Sequence, residues 1–151
     1  MQQLKNYFFI LQENYKLNIK VEKCPAYHDQ RGDLIQFITQ QNLKDRSLVF
    51  GQVYLLTFQN KNTVRGNHYH NHSSEIFCLI SGSVEMIFEN IETCERIHKI
   101  FKSEENEYYR IYVGEKTAHA IKSISDFAVM VSFSSKEYDL NDNDKIVYQL
   151  F

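Results

Sequence analysis

Between residues 65 and 82 the chain reads RGNHYHNHSSEIFCLISG, with histidines at 68, 70 and 72, a glutamate at 75 and a glycine at 82. Side chains in a strand alternate faces, so His68 and His70 project to the same side of a sheet, and His72 joins them if the strand continues. Two imidazoles on an inward face, with a carboxylate arriving from the next strand, suit either a metal ion or proton transfer near neutral pH. Spacing alone leaves both chemistries open. His72 is read as an exposed loop residue, and His28 and His98 as surface residues without a role.

The elements that must position these groups read as strands. VYLLTF (53–58), EIFCLI (75–80), VEMIF (84–88), RIYV (110–113) and AVMVSF (128–133) are short, β-branched or aromatic, and bounded by turn residues. The five glycines fall at or near the ends of such runs, and Ser81-Gly82-Ser83 is expected to close a hairpin with Glu75 and Phe88 near its open end. Many short strands at this spacing predict an all-β protein, a sandwich or a small barrel. Leu4, Phe8 and Leu11 recur at roughly helical spacing, which predicts a helix over residues 2–15. SEENEYY (103–109) reads as a surface loop, and KEYDLNDNDK (136–145) as an exposed tail. Neither repeat nor linker divides the chain.

The 151 residues are expected to form one domain, 1–151, able to bury about two thirds of the unfolded surface. Seventeen basic against 19 acidic residues, with no basic run, argue against nucleic acid or an anionic membrane as partner. The N-terminal apolar runs are too short for a membrane span or a signal-peptide core, so a cytoplasmic location is expected. Cys24, Cys78 and Cys94 are odd in number and irregularly spaced, as reduced thiols would be, and Cys78 reads as a small core residue.

HYHNHSSEIFCLISG resembles the first motif of the cupin superfamily, with His68, His70, Glu75 and Gly82 at the family's intervals. YVGEKTAHAIKS (112–123) resembles the second motif and puts His119 in its histidine position. The resemblance implies a jelly-roll barrel. The family's proline-x-glycine turn is Gly114, Glu115, Lys116 here, Ser123 replaces the usual asparagine, and Asn62 stands where a glycine is common.

Within the cupins, HDQRGDL (28–34), VRGNHYH (64–70), IYVG (111–114) and FSSKEYDLND (133–142) together are similar to the sugar-nucleotide cupins of bacterial surface-polysaccharide pathways. Three kinds share parts of this pattern: 3,4-ketoisomerases of nucleotide-linked 4-keto-6-deoxyhexoses, dTDP-4-dehydrorhamnose 3,5-epimerases, and the cupin domain of capsular-polysaccharide reductases. Asn71 replaces the lysine that ketoisomerases usually carry after HxH. The resemblance implies an isomerase or epimerase acting on a nucleotide-linked 4-keto-6-deoxy sugar, with proton transfer through an enediol and no required cofactor. It implies His68 and His70 as catalytic bases and Tyr54 as the residue that protonates or polarises a sugar oxygen. It further implies Arg65, Tyr112 and His119 as substrate-binding residues, with Arg65 facing the enediolate or a phosphate. The alternative it carries is a metal-holding module without catalysis of its own, with His68, His70, Glu75 and His119 around a divalent ion, zinc above all. Relatives commonly pair as homodimers through exchanged N-terminal strands, and Leu48, Val49 and Phe50 would suit such an edge. The Asp29, Arg31, Gly32, Asp33 element reads as a turn that marks the family.

Overall fold

The computed structural model describes residues 13–14, 16–103, 107–142 and 144–151. Its strands are β1 (Glu13–Asn14), β2 (Ile19–Lys23), β3 (Ala26–Asp29), β4 (Gly32–Ile35), β5 (Gln52–Phe58), β6 (Val64–His70), β7 (Glu75–Ser81), β8 (Ser83–Asn90), β9 (Arg96–Lys102), β10 (Tyr109–Val113), β11 (Thr117–Ser123), β12 (Ala128–Ser134) and β13 (Lys145–Val147). One short helix, α1 (Gln40–Asp45), interrupts them behind a Thr39–Asn42 capping box. Most of the expected helix over residues 2–15 lies outside the described residues, and Glu13–Asn14 form a strand.

Two sheets face each other in a jelly roll. One has the order β1-β2-β10-β7-β12-β5 and the other β13-β6-β11-β8-β9, while β3 and β4 form a separate hairpin. Inward residues from both sheets make the core: Phe58, Phe77, Leu79, Val84, Met86, Phe88, Ile111, Ile121 and Met130 belong to one buried cluster. Strand β5 shows the alternation plainly, since Val53 and Leu55 are exposed while Leu56 packs against the core and Phe58 is buried. Strand β7 is buried on both faces from Glu75 to Leu79. On its outer side the chain returns over the sheet, and Arg110 holds it by donating to the carbonyls of Phe37 and Gln36.

The turn at Gly82 corrects the expected hairpin. β7 pairs with β10 and β12, whereas β8 pairs with β11 and β9, so Ser81-Gly82-Ser83 arches between sheets. Glycine is required there, because φ is +85° and a Cβ would stand 2.2 Å from the Phe127 carbonyl oxygen. Apolar alternation on two consecutive strands separated by a turn is common to hairpins and arches, so local pattern could not distinguish them.

Candidate active site

A cavity of about 360 Å³ opens between the sheets, between β5 on one and β6 on the other. Gln52, Tyr54 and Leu56 form one lip, and Arg65, Gly66, His68 and His70 the other. Glu75 and Phe77 on β7, with His119 and Ile121 on β11, line it from within. The expectation that His68 and His70 share an inward face therefore matches the geometry, and His72 lies beyond the strand with an exposed side chain.

The RGNH sequence builds the local backbone. Gly66 (φ +89°) and Asn67 (φ +54°) both adopt left-handed conformations, and the β6–β11 register shifts between His119 and Ala120, leaving His119 opposite His68. A Cβ on Gly66 would lie 2.7 Å from the His119 carbonyl oxygen. The Asn67 side chain accepts the backbone N–H groups of Leu150 at 2.9 Å and Phe151 at 3.2 Å, which anchors the C-terminal segment to the bulge. Gly66 thus sits inside a strand rather than at its end.

Glu75 is the hub. Its Oε2 lies 2.9 Å from His119 Nε2, 3.4 Å from His70 Nε2 and 3.9 Å from His68 Nε2, and the Tyr54 hydroxyl donates to its Oε1. The His68 ring meets His70 and His119 edge-on, with centroids 4.9 and 4.7 Å apart. Despite this crowding, Glu75 Oε2, His70 Nε2 and His68 Nδ1 are buried without a hydrogen-bond partner of good geometry. Buried polar atoms are rarely left so, and a cluster of them aimed at one place is a binding geometry.

A residue that sequence reading missed completes the site. Asp144 Oδ2 lies 3.1 Å from His70 Nδ1, and Asp144 also accepts the Ser73 hydroxyl and, at 2.6 Å, the His72 backbone N–H. Residues 136–141 and Lys145 are exposed, as expected of this segment, but Asp144 is only 6% exposed, so the segment between β12 and β13 is a surface strap along the cavity that buries this one carboxylate. Its polar composition looked like solvent-facing loop, and the only signal for a role was its abundance of carboxylates.

These contacts separate the two histidines electrostatically. Burial and the neighbouring His119 and His70 charges push His68 down to about 3, against the pull of Glu75, so it is neutral across the physiological range. His70 moves the other way: burial opposes its charge, but the Glu75 and Asp144 carboxylates outweigh burial and raise its pKa. Glu75 is held well below the usual carboxylate range, because His119 and His70 overcome the effect of burial. Burial and the Glu75 charge raise the Tyr54 phenol.

The other expected site residues divide. Arg65 lines the cavity and is exposed, with Nε and Nη2 donating to the Thr57 carbonyl at 3.2 and 3.1 Å. Tyr112 does not line it: β10 turns Ile111 toward the core, and Tyr112 lies on the outer side, beneath the Arg46 guanidinium and 3.2 Å from the Ser74 hydroxyl. The period-2 rule would have separated Tyr112 from the inward face had the phase of this strand been known. His28 and His98 are exposed and pair with Asp33 and Glu85. The three cysteines are free, with Cys78 buried.

A divalent ion fits part of the cluster. One donor atom each from His68, Glu75 and His119 lies within 4.8 Å of the others, two imidazole nitrogens and a carboxylate oxygen of the kind that zinc and its neighbours accept. His70 falls outside this trio.

Solved structures similar to this chain include sugar epimerases and ketoisomerases. The sugar 3,4-ketoisomerase QdtA from Thermoanaerobacterium thermosaccharolyticum is 21% identical over 85% of this chain and 87% of its own, with a TM-score of 0.70. The dTDP-4-dehydrorhamnose 3,5-epimerase of Bacillus anthracis is 12% identical over 89% of this chain and 81% of its own, with a TM-score of 0.75. ChmJ, a 3'-monoepimerase from Streptomyces bikiniensis, is 14% identical with a TM-score of 0.70; the match covers 80% of this chain but only 65% of ChmJ. At these identities the likeness shows the fold, a cupin jelly roll. No curated protein matches the chain by sequence. A family model described as polysaccharide biosynthesis C-terminal domain matches residues 27–146. With four fifths of its length matched, this cupin chain belongs to the polysaccharide biosynthesis C-terminal domain family.

Proposed function

We propose that this protein is an isomerase or epimerase of a nucleotide-linked 4-keto-6-deoxy sugar in bacterial surface-polysaccharide synthesis. The observation that carries the reading is the His70–Asp144 pair. With Nδ1 hydrogen-bonded to Asp144, the neutral imidazole keeps its free lone pair on Nε2, the atom that faces the cavity without a partner. A ketone acidifies the adjacent C–H. His70 Nε2 takes that proton, the electron pair moves to the ketone oxygen as an enediolate, and return of a proton to a different atom or face gives the isomer. His68, neutral and flush against both other imidazoles, shapes the pocket and hydrogen-bonds the sugar. Tyr54 positions the sugar rather than protonating it, since its one proton is directed to Glu75 and its oxygen is left to accept a hydrogen bond from a sugar hydroxyl. His119 and Arg65 bind substrate, and Arg65 at the mouth suits a diphosphate. ChmJ solved with dTDP, and QdtA solved with TDP, support this substrate class.

A second reading has its own observation, the three donor atoms of His68, Glu75 and His119 within 4.8 Å of one another. On this reading the chain holds a divalent cation, zinc foremost, without catalysis of its own. When bound, such an ion supplies a fixed positive charge beside Glu75. Tyr112, outside the cavity, has no part in either reading.

The test is solvent deuterium incorporation into dTDP-4-keto-6-deoxyglucose, followed by mass spectrometry and proton NMR, on protein whose metal content has been measured. Label beside the ketone, from metal-free protein, supports the isomerase. No exchange with stoichiometric zinc supports the metal-holding module. The same reading takes the chain as a homodimer, because Val49, Phe50, Val53 and Leu55 are exposed along the unpaired β5 edge. A monomer in sedimentation equilibrium would remove that part.

A further inference from the structure

The cavity carries three long cations, and two of them are engaged: Arg65 donates to the Thr57 carbonyl, and Lys136 pairs with Asp142. Among the described residues no ion pair engages the third, Lys145. It begins β13, where it stands directly opposite His70 in the antiparallel register. Register partners share a face with Cβ atoms about 5 Å apart, so Lys145, an exposed residue that lines the cavity, leaves the backbone on the same face as His70. Asp144, its chain neighbour, is the carboxylate that holds His70. Arg65 sits five residues earlier on β6, one of them taken up by the bulge, so Arg65 and Lys145 stand about 13 Å apart along the strand, toward opposite ends of the cavity.

We infer that Lys145 is a catalytic residue that faces the reacting sugar and stabilises the enediolate oxygen, while Arg65 anchors the diphosphate at the far end. This rests on the isomerase reading above. The juxtaposition gives each charge a function: the proton leaves carbon for His70 Nε2, the electron pair arrives on the ketone oxygen, and the ammonium beside the base meets the negative charge as it forms.

Lys145→Met and Lys145→Arg are compared with the wild type by deuterium exchange into dTDP-4-keto-6-deoxyglucose. The Met variant is expected to lose about 10- to 100-fold in kcat with KM within about threefold, and Arg to recover most of the loss. Unchanged exchange in the Met variant, or a loss confined to KM, would overturn the assignment. A second measurement does not depend on turnover: acetic anhydride labelling of Lys145, read by peptide mass spectrometry. Protection by dTDP-4-keto-6-deoxyglucose but not by dTDP alone supports the placement at the sugar end. Protection by dTDP alone, or by neither, overturns it. If the wild type shows no exchange at all, the isomerase reading fails, and the labelling still decides where Lys145 lies relative to a bound sugar.

Discussion

The inner faces of the two sheets are apolar at one end and polar at the other, and the change occurs along single strands. On β7 the inward residues run Glu75, Phe77, Leu79, and on β11 His119 is followed by Ile121. At the apolar end Met86, Val84 and Met130 are fully buried among hydrocarbon neighbours. At the polar end Glu75 and His119 are nearly as buried, yet Glu75 Oε2, His70 Nε2, His68 Nδ1 and Ser132 Oγ are left without hydrogen-bond partners. Equal burial therefore does opposite things: it stabilises one end through packing and strains the other, where unmet polar groups wait for a ligand.

If that contrast is right, the largest effect belongs to the base. His70→Ala should lower deuterium exchange by about 10³-fold, with an unchanged circular dichroism spectrum. At the other end Met86→Ala should cost about 2–5 kcal/mol in urea unfolding and leave the exchange rate of the folded protein unaltered. Asp144→Asn should reduce kcat by about 100-fold, and its pH profile carries a sign. His70 acts as a base only when neutral, and Asp144 helps to raise its pKa, so loss of that charge should shift the acid limb of kcat/KM to lower pH.

The fold was largely legible in the sequence, because alternation and turn residues marked β5, β7, β8, β10 and β12 within a residue or two. The histidines and Glu75 were legible for the same reason, being tied to one strand and the next. What escaped were facts about the third dimension. Whether Gly82 closes a hairpin or an arch depends on which sheet receives β8, and the face that Tyr112 takes depends on the phase of β10. Asp144 is 74 residues from His70, in a segment without hydrophobic pattern, so no local signal could join them.

Two smaller effects sharpen the contrast. In metal-free protein His68 binds its proton near pH 3 when folded but near 6.5 when unfolded, so its contribution to stability is complete above about 6.5 and falls away as pH drops toward 3. His68→Asn should remove at most about 2 kcal/mol of this acid destabilisation at pH 5, seen as a flatter melting temperature against pH. His70, raised instead of lowered, contributes fully below about 6.5 and loses it as pH rises further, so His70→Asn should leave the acid side of the curve unchanged and remove the decline above about 6.5. Smallest of all, Ser132→Ala removes a buried hydroxyl beside Tyr54 and should change stability in urea by no more than about 1 kcal/mol.

The strap that brings Asp144 to His70 also sets an order of events. β6 and β11 can pair from residues 64–123, yet the carboxylate that orients the base and the lysine opposite it arrive only with residues 144–147. During synthesis the pocket would take shape before its proton chemistry does, and a nascent or C-terminally clipped chain would hold a formed but chemically idle cavity. On the isomerase reading, docking of β13 would therefore couple the reactivity of His70 to the closing of this edge of the sheet.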